Sequence, residues 1–116
     1  MRDFTKLLVW QKSHQLTLKI YKTTKLFPKE ELFGLTSQMR RSSSSVPTNI
    51  AEGCGRDTKP QLKHFFEIAS GSSSELNYQL ILSKDLEYIS ESTFQELSND
   101  STEIMKMLNA YHAQLL

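Results

Sequence analysis

The sequence predicts an all-α fold, an antiparallel up-down-up-down four-helix bundle with a kinked second helix. Three observations carry this reading. First, the 116 residues divide into four stretches whose apolar side chains recur every three or four positions. Second, the connections are short and carry proline, glycine or capping residues, so consecutive helices become antiparallel neighbours. Third, four glycines and three prolines are too few for the many tight turns of a β-sandwich, and no useful strand alternation appears. The length fits one domain spanning 1–116, large enough to hold a core without staples.

The first helix is expected over about residues 6–26. Val9, Ser13, Leu16, Ile20, Thr24 and Phe27 form one stripe, and Lys12, Lys19, Lys22 and Lys29 fall opposite it. Pro28 ends the segment, because the residue before a proline resists the α conformation. The second helix is expected over about 29–54, opened by Pro28 with Glu30 and Glu31 in its first turn. Leu32, Leu35, Met39, Ser42 or Ser43, Val46, Ile50 and Gly53 keep its register to the Gly53-Cys54-Gly55 stop. Pro47 lies inside the pattern and must remove one backbone hydrogen bond, which predicts the kink.

Thr58-Lys59-Pro60-Gln61 reads as a capping box opening the third helix, expected over about 59–88. Its stripe is Leu62, Phe65, Ala69, Ser72, Leu76, Leu80 or Gln79, Ser83 and Leu86, with Gly71 as a point of close helix approach. Ser92-Thr93-Phe94-Gln95 reads as a second box for the fourth helix, about 92–115. There Phe94, Leu97, Ser101, Ile104, Leu108, Tyr111 and Leu115 recur at heptad spacing.

A polar stripe runs beside the apolar one. On the second helix it is Gln38, Arg41, Ser45, Asn49 and Glu52; on the third it is Ser72, Glu75 and Gln79. Charges next to a core seam need partners, so Arg41 is expected to pair with Glu75 or Glu52, with Gln38 and Asn49 completing the hydrogen bonds. A structural network that sets helix register, an acid–base or ligand site, and ordinary exposed residues are all open readings.

Net charge is +1, yet the chain is electrically polarised. Residues 1–30 carry seven basic and two acidic side chains; residues 57–116 carry four basic and nine acidic. The lysine face of the first helix, Lys12, Lys19, Lys22 and Lys29, with Arg40 and Arg56 nearby in sequence, is the one candidate nucleic-acid surface. It lacks a helix-turn-helix signature and an aromatic stacking platform. Trp10, Leu18, Tyr21 and Leu26 exceed what one bundle seam needs and are expected at an oligomer interface.

No catalytic constellation stands out, and no cofactor or metal is expected. His14, His64 and His112 come from three different helices, and there is no CxxC, HExxH, GxSxG or phosphate loop. Cys54 lies at a helix end, away from the helix N-terminal setting that activates a thiol. One cysteine permits no intrachain disulfide, which fits a reducing compartment. With no apolar run long enough to span a bilayer and no apolar segment at Met1-Arg2-Asp3, a cytoplasmic, membrane-free protein is expected.

Several runs resemble the signature of a bacterial family. They are Phe33-Gly34-Leu35-Thr36-Ser37-Gln38-Met39-Arg40-Arg41, Ser45-Val46-Pro47-Thr48-Asn49-Ile50-Ala51-Glu52-Gly53, and Ile68-Ala69-Ser70-Gly71-Ser72 with Glu75-Leu76. Leu7-Leu8-Val9-Trp10-Gln11-Lys12 and Phe27-Pro28 add to the likeness. The family is that of four-helix bundle proteins encoded in intervening sequences of 23S ribosomal RNA genes. The resemblance implies a left-handed up-down-up-down bundle that assembles into a ring-shaped homopentamer. It also implies a relation to the accessory proteins of diversity-generating retroelements, which bind a reverse transcriptase and nucleic acid. It supplies no catalytic residues.

Two functions follow as expectations. One is a non-enzymatic oligomeric protein presenting the helix 1 lysines to RNA or DNA. The other is a structural protein–protein interaction module whose charges only keep it soluble. A nuclease is disfavoured by the absence of clustered carboxylates or histidines.

Overall fold

The structure, a computed structural model, describes residues 2–115. Among them are four α-helices and no strand: α1 Leu8–Thr24, α2 Leu35–Cys54, α3 Lys59–Asp85 and α4 Glu91–Gln114. Short 3-10 turns at Phe4–Lys6 and Lys29–Glu31 precede α1 and α2.

The predicted α1 stripe is buried throughout, from Val9 to Thr24 and on to Phe27. The helix itself is shorter than the expected 6–26. Asp3 accepts from the Thr5 N–H at 3.0 Å and caps the Phe4–Lys6 turn, and Leu7 is extended, so α-helix starts only at Leu8. At the other end the amides of Leu26 and Phe27 bond back to Thr23 and Thr24 with tighter spacing.

The expected start of α2 at 29 is corrected to Leu35. Pro28 opens a 3-10 turn, and Gly34 (φ −112°, ψ −116°) breaks the path between that turn and the helix. Glu31 Oε1 then accepts from the Leu35 N–H at 3.2 Å, supplying the cap that Gly34 cannot. Leu32 is thereby left outside the core, half-exposed.

Helix α2 runs through Pro47, which is buried. Proline cannot donate to the Ser43 carbonyl four residues back. That carbonyl accepts instead from the Thr17 hydroxyl of α1 at 3.0 Å, an oxygen that also lies 3.0 Å from the Ser13 carbonyl. A deficit in one helix is met by a side chain of the next.

Thr58 caps α3 through the Gln61 N–H, with Pro60 in the first turn as predicted. The helix ends at Asp85, short of the expected 88. Glu87 turns left-handed at φ 64°, and the Tyr88 amide closes on the Ser83 carbonyl at 2.9 Å. The core register also shifts: Phe66 and Ser73 are buried, where Phe65 and Ser72 were expected, and Leu86 is exposed. Phe65 instead flanks the α2–α3 crossing at Gly53, where an added Cβ would meet Phe65 Cβ and Leu62 Cδ1 at 3.1 Å. Gly53 is therefore the close-approach glycine. Gly71, expected in that role, has nothing within 4 Å of a Cβ position.

The α4 cap is Ser90, accepting from the Thr93 N–H at 3.1 Å, and not Ser92. Buried Ile89 anchors the preceding turn, which brings the helix start forward to Glu91. Leu97, Ser101, Ile104 and Leu108 are buried as the heptad spacing predicts; Phe94, Tyr111 and Leu115 pack against the core from its edge.

α2 packs against α1 and α3, and α4 packs against α3 and α1, whereas α1 and α3 lie diagonally, with no Cα atoms of the two within 8 Å among the described residues. The core between them includes Ile20, Met39, Ile50, Leu76, Leu80 and Leu108, all fully buried. The particle measures 43 × 24 × 20 Å, its long axis set by the roughly 40 Å of a helix as long as α3.

Candidate nucleic-acid interface

The six basic residues expected to meet nucleic acid do not form one free face. Lys12 pairs with Glu103 of α4 at 2.8 Å. Lys19 pairs with Asp100 at 2.7 Å and with Glu96 at 3.2 Å. These hydrogen bonds, Asp100 first and Glu96 second, push the Lys19 ammonium pKa upward against a smaller opposing effect of burial. Arg56 reaches Glu52 at 3.2 Å and lies 4.8 Å over the Phe65 ring. Arg40 donates its Nε–H to the Thr24 hydroxyl at 2.9 Å and covers the Tyr21 ring at 4.8 Å. Only Lys22 and Lys29 are exposed and outside every ion pair found among the described residues.

Lys25 joins them. It is exposed, unpaired among the described residues, and three and four positions from Lys22 and Lys29. Its sequence signal is the 22-25-29 spacing, which lies apart from the Lys12 and Lys19 register. Lys22 lies in the last turn of α1 and Lys25 at its C-cap, where the helix dipole favours positive charge, and Lys29 opens the following 3-10 turn.

The expected polar network is not assembled as predicted. Gln38, Arg41, Glu52 and Glu75 are exposed. Arg41 makes no ion pair with Glu75 or Glu52; Glu52 instead takes Arg56. Gln38, Arg41 and Glu75 line a polar groove of about 560 Å³ between α2 and α3. The reason is reach and solvation: charges at the rim keep their water, which costs less than burial as a pair. The stitches between these helices are made by smaller neutral groups. The Ser42 hydroxyl donates to Gln79 Oε1 at 2.6 Å, and Ser45 and Ser72 share a hydrogen bond at 2.8 Å. Asn49 does contribute, donating to the Ser45 carbonyl and hydroxyl at 2.8 and 2.9 Å. Between α3 and α4, the Ser101 hydroxyl donates to Asn77 Oδ1.

Of the expected interface residues, Leu18 and Tyr21 are exposed. Trp10 is half-buried, with Phe4 edge-on and His14 stacked, each at 5.1 Å between centroids. Larger exposed apolar groups lie elsewhere. Leu26 is 86% and Phe33 94% exposed around the α1–α2 connection, and Tyr78 is 62% exposed beside Ile81 on the outside of α3. Phe33 precedes the Gly34 break and belongs to no helical stripe, so the periodicity gives no signal for it.

The chemistry-bearing side chains stay apart. No group of three His, Cys, Asp or Glu among the described residues could hold a metal ion. His112 meets Glu67 at 3.1 Å, and Cys54 is buried, its thiol pushed up by burial. No described helix is long and apolar enough to cross a membrane.

The sequence model of the 23S rRNA-intervening sequence protein family matches residues 5–110. A solved structure from Bacteroides thetaiotaomicron, described as a protein of unknown function from the S23 ribosomal protein family, is 29% identical and superposes with a TM-score of 0.82. The alignment covers 90% of this chain and 98% of that one. No curated protein matches the sequence.

Proposed function

The chain belongs to the 23S rRNA-intervening sequence protein family, and from that premise we propose that it is a non-enzymatic, oligomeric nucleic-acid-binding bundle. Its contact surface is the Lys22, Lys25 and Lys29 end of the molecule, not the whole of α1. The observation that carries this reading is the set of three exposed lysines outside every ion pair among the described residues. Cations of that kind are available to neutralise phosphates; cations already facing carboxylates are not. A binder is favoured over an enzyme because every described Asp, Glu, Lys, Arg and His is at least partly exposed. Catalytic acids and bases are usually found where burial perturbs them.

The bundle is up-down-up-down in this reading. Hydrogen bonds from Arg2 to Cys54, Thr17 to Ser43 and Arg40 to Thr24 support opposite directions for α1 and α2. The pairs Ser42–Gln79 and Ser45–Ser72 do so for α2 and α3, and Lys12–Glu103 with Lys19–Glu96 for α1 and α4. The bond that Pro47 cannot make to Ser43 is where α2 bends. Five copies in a ring, as the resemblance implies, would repeat the basic end five times, with exposed Leu18, Leu26, Tyr78 and Ile81 available for contacts between copies. A reverse transcriptase is the protein partner that the same resemblance implies. A monomeric mass by light scattering at micromolar concentration overturns the ring.

The binding test is a fluorescence-anisotropy titration of single-stranded RNA and DNA at low salt. K22Q/K25Q/K29Q should abolish most binding and flatten the salt slope by about 2, at roughly 0.7 per single-strand phosphate contact. Absence of binding by the unmodified protein at low salt overturns the reading. The competing reading, a protein–protein interaction module, is favoured by Leu26 and Phe33 beside the lysines. It would be supported if L26S/F33S lost a specific co-purifying protein while nucleic-acid affinity stayed unchanged.

A further inference from the structure

Lys12 and Lys19 lie two turns apart on α1, in the same register, and face three carboxylates of α4. Glu96, Asp100 and Glu103 are spaced four and three residues apart, so they share one face of that helix. Two cations are thus answered by three anions. The pairs span an open groove of about 510 Å³ whose floor is apolar, with Leu8, Leu16 and Ile104. The ion-pairing side chains are between one-third and two-thirds exposed. Pairs this exposed are weak and exchange with solvent ions. A row of carboxylates on one helix face therefore occupies the positions that the phosphates of a nucleic-acid strand would take on α1.

We propose that the α4 row Glu96, Asp100 and Glu103 masks Lys12 and Lys19. Nucleic acid bound at the Lys22–Lys29 end extends along α1 only by displacing those carboxylates. The inference rests on the nucleic-acid reading above and adds regulation to it. The chain holds two classes of basic residue, one always available and one released by competition or by neutralising α4. Charge polarisation along the sequence is then a device within one molecule: the acidic half covers part of the basic half.

The test compares D100N/E103Q with E67Q/E75Q. Both remove two negative charges. The first acts at the α1–α4 seam; the second acts on exposed positions of α3, which lies diagonal to α1 with no Cα atoms of the two within 8 Å among the described residues. Masking predicts that D100N/E103Q binds single-stranded RNA more tightly than E67Q/E75Q. It also predicts a log K against log salt slope steeper by about 0.7 for the freed Lys12, rising toward about 1.4 as Lys19 leaves its remaining partner Glu96, at roughly 0.7 per contact. Adding K12Q/K19Q to D100N/E103Q should cancel the gain, while K12Q/K19Q alone should weaken binding less than twofold. Far-UV circular dichroism on each variant checks that the helices persist. If the unmodified protein binds and the two charge-matched variants gain equally, the mask is overturned and the binding function stands. If neither the protein nor any variant binds at low salt, the function reading falls and the mask with it.

Discussion

The α2–α3 seam and the α1–α4 seam use polar groups in opposite ways. Between α2 and α3 the cross-helix bonds are short, neutral and mostly shielded: Ser42 to Gln79, and Ser45 to Ser72. Gly53 lets Leu62 and Phe65 approach the α2 backbone closely. Between α1 and α4 the bonds are ion pairs among half-exposed side chains over an open groove. A neutral hydroxyl or amide can be buried with one good partner; a charge needs far more compensation and so stays where water reaches. One seam therefore fixes register and the other leaves its charges exchangeable.

Packing gives the largest test of that contrast. Leu76 is fully buried on α3, and Leu76→Ala should cost about 3–4 kcal/mol by chemical denaturation, with transfer and cavity contributions both present. Leu16 is also buried, but it forms part of the floor of the α1–α4 groove. Its removal leaves a site open to solvent and able to relax, so Leu16→Ala should cost about 2 kcal/mol. Equal losses would mean that the two seams are packed alike.

The next test concerns the hydroxyl that repairs α2. Thr17→Val keeps shape and removes the donor to the Ser43 carbonyl, leaving a buried acceptor that Pro47 cannot serve. The expected loss is about 1–2 kcal/mol. Pro47→Ala restores a backbone N–H to the helix, so the double variant should recover part of that loss. A loss in Thr17→Val that Pro47→Ala leaves untouched would assign it to the Ser13 carbonyl contact within α1 instead.

What was legible in the sequence follows the same division. The α1 and α4 stripes and the Thr58 cap are local, periodic signals, and they are found where the spacing places them. The α2 start was misread because Pro28 is compatible with either a 3-10 turn or an α-helix, and only the Gly34 geometry with the Glu31 cap decides between them. The α3 register differs by one at Phe65 and Ser72 because both 3–4 orders place apolar or small residues inward; Phe65 lies beside Gly53 at the α2–α3 crossing, and Phe66 is the ring that the core buries. The lysine face was legible as a face. Its occupancy by α4 was not, since Lys19 and Asp100 are 81 residues apart and no local pattern links them. Arg41 and Glu75 show the converse: their stripes are adjacent, yet solvation keeps the charges apart at the rim of the groove.

The smallest effect is expected at Lys19. Lys19→Met removes a cation held by two carboxylates, yet all three side chains are substantially exposed. The loss should be below about 1 kcal/mol, and it should nearly vanish in concentrated salt, where screening acts over about 3 Å at 1 M. The pH dependence has a definite sign. The Lys19 pKa is raised above the ordinary lysine value of 10.5 in the folded protein, so the folded state holds this proton more tightly than the unfolded chain does. Its contribution is therefore full below pH 10.5 and is lost as pH rises through the higher folded value. Between pH 7 and 9 the difference between Lys19→Met and the parent should stay flat, as thermal melts in low salt would measure. A loss of 2 kcal/mol or more that survived concentrated salt would make this pair a structural clasp. The carboxylates of α4 could then not yield to phosphates without loosening the bundle, and the contrast between the two seams would fail at the residue where it is drawn most sharply.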